Sequence, residues 1–386
     1  MKFLIRLAPL VGASLALAAC GQGAPSAPSS SVVPTSSAAA SGVAGASAKP
    51  GAAASPAGSA SAKPAGSAAA NSGSAQASAG NPRSKPQITG GDTGGYAIKV
   101  SYASVAVSDL PYYGALGSGF FKQEHLNVTM VLAPPNVAIT ALSKGEIQFM
   151  DSPGNALEGA SRGLPMKMVF SAWARAPWTV VGKTQYNSLA ELKGKTIGTN
   201  QVGSTPYLYL QAALKNAGLT MTDVKIVSSP GTANTYGQLL AGTLDAAVVS
   251  PPFDIMAGDK GFHVVQRIGD ALKLPYIGAG ANTSFLSDHR PQAVAFLRAL
   301  MNSDKYLKTH PQEATDLVVK YVSSPPDVAK KAVAEMLPTL SDTGEGSLEG
   351  VQQAIAIQEA LTKTKVTVTP EQMVDYGPLH EALGKS

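Results

Sequence analysis

Between Gly198 and Thr205 the chain reads G-x-x-x-x-G-S-T, the spacing of a phosphate-cradling loop with one substitution. That loop needs a lysine to neutralise the outer phosphates and a hydroxyl on magnesium, and Ser204 stands where the lysine would be. Nucleotide hydrolysis is therefore disfavoured. Thr205 suits an N-cap and Pro206 the first helical position, with a helix running through Tyr207, Leu210, Leu214 and Ala217 to a Gly218 stop. Its leading amides, flanked by Gly203, Ser204 and Thr205, could hold an anion or a polar head group. An ordinary helix cap facing water is the competing reading.

Other routes to chemistry are weakly represented. The nucleophile elbow G-x-S-x-G is absent, and the five histidines (His125, His263, His289, His310, His380) are scattered, which suits single surface or packing roles. No Cys/His or carboxylate cluster has metal-ligand spacing, and no cofactor or metal is expected. Polar and aromatic groups gather instead at expected strand ends. Trp173 and Trp178 flank Arg175, Tyr112 and Tyr113 follow the first strand, and Phe253 follows Ser250. A pocket with apolar walls and a few placed polar groups uses such residues, and arginine suits a carboxylate or sulfonate. Core packing explains the tryptophan pair equally well.

The elements that must position these residues alternate between strand-like and helical patterns, which predicts α/β architecture with largely parallel sheets. Strands are expected at 97–102, 127–133, 146–151 and 166–173, with helices from Leu110, Val137 and Gly154. A second set of strands is expected at 195–200, 223–229, 244–250 and 262–268, with helices near 206–217, 233–241 and 252–258. Residues 288–386 read as mostly helical. The two sets echo each other. Ala141-Leu142-x-x-Gly145-x-Ile147-Gln148 leads into Ser152-Pro153, and Leu239-Leu240-x-Gly242-x-Leu244-Asp245 leads into Ser250-Pro251. Any α/β protein repeats such a unit, so two related lobes and simple recurrence both fit. Either way Ser152 and Ser250 fall at carboxyl ends of parallel strands, where open α/β sheets bind ligands.

The N-terminal quarter has another character. Lys2 and Arg6 precede an apolar run, Leu7 to Ala19, ending in Leu17-Ala18-Ala19-Cys20. The run is shorter than the ~20 residues of a membrane span, so residues 1–19 read as a lipoprotein signal peptide with Cys20, the only cysteine, as the lipidated N-terminus. Residues 20–95 are almost wholly Ala, Ser, Gly and Pro, a composition that cannot offset ordering entropy and predicts a disordered tether with an r.m.s. span of roughly 50 Å. The net charge of +5 belongs to this region. Six of the 30 Lys/Arg and one of the 25 Asp/Glu precede residue 96, leaving 24 of each beyond it. With no basic stripe, nucleic acid is not an expected partner.

Residues 96–386 resemble the periplasmic solute-binding proteins of the nitrate/sulfonate/taurine and thiamine-precursor class, partners of ABC importers. The residues that carry the resemblance are Tyr112-x-Gly114-x-Leu116-x-x-Gly119-Phe120-Phe121, Leu126-Asn127-Val128, Ala141-Leu142-x-x-Gly145-x-Ile147-Gln148, Leu189-Ala190-Glu191-Leu192-Lys193-Gly194-Lys195-x-Ile197-Gly198, and Leu239-Leu240-Ala241-Gly242-x-Leu244-Asp245-Ala246. The resemblance implies an α/β, two-lobed type II periplasmic-binding-protein fold with a central ligand cleft and a helical C-terminal part. It puts crossovers near Thr179 to Lys183 and Gly280 to Thr283, with lobe one 96–181 plus 282–386 and lobe two 182–281. The implied ligand-binding residues are Ser104, Asp109, Tyr112, Ser152, Trp173, Arg175, Gly203, Ser204, Thr205, Ser250 and Phe253.

The function implied is a non-catalytic, lipid-anchored receptor in the periplasm or at the cell surface. It would be a monomer that captures a small polar or anionic organic solute, of sulfonate, nitrate or pyrimidine class, and delivers it to an ABC permease and its ATPase. A sensory lipoprotein using the same cleft, or an enzyme on the same scaffold, are the alternatives. The pyrimidine-precursor synthases that resemble this family rely on a cysteine-rich segment, which this sequence lacks.

Overall fold

A computed structural model of the chain describes residues 87–91 and 94–385. The expected signal peptide, the lipidation site Cys20 and the tether as far as residue 86 lie outside the described residues.

The first half of the chain builds a six-stranded sheet. Its elements are β1 (Gln87–Thr89), β2 (Tyr96–Tyr102), α1 (Leu110–Gly117), α2 (Phe120–Gln123), β3 (Leu126–Leu132), α3 (Pro135–Ser143), β4 (Phe149–Met150), α4 (Pro153–Ser161) and β5 (Met166–Trp173). The chain then crosses into a five-stranded sheet made by β6 (Thr179–Gly182), β7 (Thr196–Asn200), α5 (Thr205–Asn216), β8 (Lys225–Ser229), α6 (Thr232–Leu240), β9 (Ala246–Val249), α7 (Phe253–Gly258) and β10 (His263–Arg267). It returns through β11 (Tyr276–Asn282), and the remainder is helical: α8 (Thr283–Asp288), α9 (Arg290–Thr309), α10 (Pro311–Val322), α11 (Pro326–Met336), α12 (Leu348–Thr362) and α13 (Gly377–Ala382).

The first sheet has the order β1-β3-β2-β4-β11-β5 and the second β10-β6-β9-β7-β8. Within each, the βαβ units are parallel, as the alternating pattern requires: β2 with β3 and β4, β7 with β8 and β9. The connecting strands run the other way. Strand β11 is antiparallel to β4 and β5, and β6 is antiparallel to β9 and β10. The sheets are therefore mixed rather than largely parallel. The residues expected to be crossovers lie inside them, and the chain changes sheets earlier, through residues 174–178 and 268–275. The cause is visible at Gly280, where a Cβ would overlap that of Ala156. Only a Gly/Ala strand fits beneath α4, and such a strand reads as a connector in sequence.

A second difference concerns the tether. Gln87–Thr89 pairs antiparallel with Thr129–Val131, and Ile88 is buried, so three residues expected to be disordered belong to the sheet. One β-branched apolar side chain among polar neighbours is enough to seat a short edge strand.

The echo between the two sets is physical. Gly145 after α3 and Gly242 after α6 both take positive φ, 74° and 73°. In each case the following amide reaches back five residues, Glu146 to the Ala141 carbonyl and Thr243 to that of Gln238. This is the same left-handed helix stop in both halves. Apolar clusters cover both faces of each sheet. Phe296 of the long α9 stacks on Phe149 with ring centroids 3.9 Å apart, and Tyr276, entering β11, touches the cores of both sheets.

Candidate functional site

The carboxyl ends of β2 and β4 and the loop after β5 form one rim. Beyond Tyr102 the chain turns through Ser104, which is exposed, into a 3-10 turn, Val107–Asp109, that launches α1. Asp109 is 1% exposed and accepts from the Ala106 amide at 3.2 Å and the Tyr113 hydroxyl at 3.3 Å. Asp151, at the end of β4, is also buried, and the two carboxyls are hydrogen-bonded to each other. Burial pushes both pKa values up, and for Asp151 the neighbouring Asp109 charge adds to it. The pair thus holds a proton between its oxygens at neutral pH. Tyr102 and Tyr276 lie in the same field, burial being the larger cause of their raised pKa values. The Trp173 indole ties the third strand end to this turn by donating to the Ser108 carbonyl at 2.9 Å. Neither carboxyl meets a cation among the described ion pairs, so the floor of this rim is acidic and aromatic.

The facing rim, on the second sheet, is built from hydroxyls and amides. After β7 the chain turns at Gly203, whose φ of 82° favours glycine, into Ser204 and the twelve-residue α5. Ser204, not Thr205, is the N-cap. Its side chain makes no capping bond, and its Oγ is buried without a partner. A buried hydroxyl that neither caps nor pairs is costly, and a ligand would satisfy it. Thr205 is exposed in the first turn. Ser250 is half-buried after β9, its carbonyl accepting from the Phe253 amide at 2.9 Å. At Gly203 this rim approaches the other half of the molecule, since a Cβ there would lie 3.9 Å from Leu361 of α12.

The residues expected in the site thus separate into two groups. Asp109, Ser152 and Trp173 gather on the first rim, and Gly203, Ser204, Thr205 and Ser250 on the second. Four others do different work. Tyr112 is fully buried and donates to the Gly278 carbonyl, fixing β11 to α1 rather than lining a cleft. Phe253 is half-buried and packs on Tyr236 in the second sheet's core. Arg175 turns toward the passage between sheets, 3.5 Å from Asp270, where it lines a crevice of about 30 Å³ with Trp178, Arg267 and Glu335. Ser104 stays on the solvent side of its turn. A larger groove of about 410 Å³ lies between α10 and α11, lined by Gln312, Asp316, Lys320, Asp327 and Lys330, apart from either rim. Shape there comes without any group from the strand ends, so the rims remain the candidate site.

Sequence reasoning undervalued Asp151, Tyr276 and Ser108. The available signal was an acidic residue ending an apolar strand, FMD at 149–151, against the usual exposure of aspartate. The histidines are engaged elsewhere: His310 stacks on Tyr306, His380 pairs with Glu345, and His263 bonds to the Tyr186 carbonyl. Among the described residues no group of three or more His, Cys, Asp or Glu side chains could hold a metal ion, and no helix is long and apolar enough to cross a membrane.

Two α/β halves joined by two passages, with strand ends forming opposed rims, define a periplasmic-binding-protein fold. The structure of the periplasmic aliphatic sulphonate binding protein SsuA from Escherichia coli matches it with a TM-score of 0.60 at 16% identity, over 72% of this chain and 97% of that one. The family model described as NMT1/THI5 like matches residues 108–314, more than half of the chain, and the chain belongs to that family. The putative thiamine biosynthesis protein of Haemophilus influenzae is 27% identical over 215 residues, 53% of this chain and 66% of that protein, so the match spans just under two thirds of its length. The putative binding protein YtlA of Bacillus subtilis is 22% identical over 247 residues, 61% of this chain and 74% of the relative.

Proposed function

We propose that the protein is an extracytoplasmic solute-binding receptor, anchored by lipid at Cys20, that traps a small polar or anionic organic solute between two lobes and delivers it to an ABC importer. The lobes are those built on the six-stranded and five-stranded sheets. The observation that carries this reading is the unpartnered, buried Ser204 hydroxyl at the N-terminus of α5, set on a rim that approaches α12 of the other lobe. Helix-end amides and a free hydroxyl hold a polar head group without formal charge, and opposed rims let closure bury it. The names of the binding proteins it resembles, SsuA and YtlA, support the same role.

Dye-reported thermal unfolding against sulfonates, nitrate, carboxylates and aminopyrimidines tests it. At least one class should raise the melting temperature, by an amount that grows with concentration. A melting temperature indifferent to every class up to millimolar levels would remove the receptor reading. Separately, Cys20→Ala should move the protein from the membrane fraction to the soluble one.

A further inference from the structure

The two lobes also meet through helices α7 and α11. Helix α11, which packs over the Val107–Asp109 turn of the first lobe, lies against α7 of the second. Lys331 of α11 reaches Asp259, just past α7, at 3.0 Å, and Glu335 of α11 pairs with Arg267 of β10. Beside the Glu335–Arg267 pair sits Asp254, the second residue of α7, 5% exposed and accepting from the Ile255 amide at 2.9 Å. Ile255 itself packs against the apolar core of the first lobe. One apolar side chain and two ion pairs thus join the lobes, and none of the five side chains involved is a candidate ligand residue.

We propose that α11 and α7 form an electrostatic latch, in which Lys331 and Glu335 of one lobe grip Asp259 and Arg267 of the other and set how far the unliganded protein stays closed. This rests on reading the two sheets as lobes that part to admit solute. Ion pairs of this exposure are individually weak and screened by salt, so the latch biases an equilibrium rather than locking it. That is what a receptor needs, because a contact that held the lobes shut would exclude its own solute.

Asp254 adds a pH dependence. Burial first, and then the Glu335 charge, push its pKa up to about 7, while Arg267 and the Ile255 amide oppose the rise. The charged groups facing it are Glu335 from α11 and Arg267 from β10, with Asp259 and Lys331 completing the contact. Opening removes both burial and Glu335, so the closed form binds the proton more tightly. The proton's help to closure is therefore full below the ordinary carboxyl value near 4 and is lost as pH rises through about 7.

Amide hydrogen exchange on the unliganded full chain tests the latch, with emission from Trp178, which lines the crevice between the passages, as a second readout. Lys331→Glu and Asp259→Lys should each speed exchange in α7 and in residues 174–178 and 268–275 by about three- to tenfold, as a weak attraction becomes a weak repulsion. The double variant should restore the slow rates. Asp254→Asn should remove the pH dependence and keep the salt dependence. If the single variants exchange like the parent, or the double exchanges as fast as either single, the latch is refuted. Should a variant fail to fold, the parent chain decides: moving from about 0.1 M to about 1 M salt cuts the screening length from ~10 Å to ~3 Å, and unchanged exchange in the same segments refutes the latch. A latch that fails these tests while some solute still raises the melting temperature leaves the receptor reading intact. A latch that passes while no solute binds removes that reading alone.

Discussion

The two rims come from the same local design and end in opposite chemistry. Both halves stop a helix with a left-handed glycine, run into a short buried strand and turn at Ser-Pro. Yet the residue before that turn is Asp151 in one lobe and Val249 in the other. In the first lobe the difference creates a sealed carboxyl pair ringed by tyrosines. In the second it leaves the strand apolar and gives the polar work to the Ser204 hydroxyl and the amides of α5. One rim is rigid and already satisfied internally; the other presents an unmet hydrogen-bonding need. A recurring local unit can therefore end in different chemistry through a single change at the strand end.

The sharpest way to break that contrast is to crowd the strand each lobe shares with a passage. Gly280→Ala in β11 would press on Ala156 and Met150, and should cost about 3 kcal/mol in thermal unfolding. Gly182→Ala in β6 meets the Val265 methyl at 2.9 Å, a milder overlap, and should cost about 1 kcal/mol. Equal losses would mean that the first lobe is no more tightly built than the second.

Acidity separates the lobes next. The folded-state pKa values of Asp109 and Asp151 are raised, so their contribution is full below the ordinary carboxyl value near 4 and is lost as pH climbs toward and beyond about 7. In the second lobe Asp245 behaves in the opposite sense. Partial burial raises its pKa, but Lys183 at 2.8 Å and the Thr196 amide at 3.0 Å outweigh it and hold the carboxylate low. Its contribution is present above about 4 and is lost in stronger acid. Stability measured from pH 5 to pH 8 should thus fall by on the order of 2 kcal/mol, at about 1.4 kcal/mol per unit of raised pKa. Asp151→Asn should lessen that slope, leaving the share that buried Asp254 and Asp304 contribute in the same sense, and Asp245→Asn should leave it alone. Identical profiles in the parent and in Asp151→Asn would show that the carboxyl pair is not proton-sharing.

Smaller effects probe the second rim. Ser204→Trp should weaken whichever solute raises the melting temperature by at least about tenfold, or ~1.4 kcal/mol, without unfolding the chain. Unchanged affinity would take Ser204 out of the site. Ser204→Ala should alter unliganded stability by no more than about 0.5 kcal/mol, since the hydroxyl makes no capping bond to lose. Asn282→Ala gives the contrast within the first lobe. Asn282 caps α8 by accepting from the Phe285 amide at 3.1 Å and donates to the Leu142 carbonyl at 2.8 Å, and its loss should cost about 2 kcal/mol.

The parallel βαβ units were legible because each couples an apolar run to a helical period and a glycine stop, all within a few residues of each other. Ser152 and Ser250 sit at strand ends for that reason. Strands β6 and β11 were expected only through the resemblance, near Thr179 to Lys183 and Gly280 to Thr283, because what makes them strands is the neighbour they slide under, and Gly280 carries no local mark of Ala156. The carboxyl pair escaped for a related reason: Asp109 and Asp151 are 42 positions apart, and either alone looks like a loop residue. Arg175 was expected in the cleft from its aromatic neighbours, and the structure turns it toward Asp270, a partner 95 positions away in sequence. The latch between α11 and α7 had no sequence signature, since exposed lysines and glutamates occur everywhere and only the fold says which of them meet.

Strand β1 lies at one edge of the first sheet, and β5, which leads into the passage to the second lobe, lies at the other. If the proposed anchoring at Cys20 holds, a pull on the chain from that end would arrive through Gln87–Thr89 and meet the ladder to Thr129–Val131 and the seated Ile88. Such tension would load the first sheet at the edge remote from the passage to the second, and would leave the five-stranded sheet mechanically untouched.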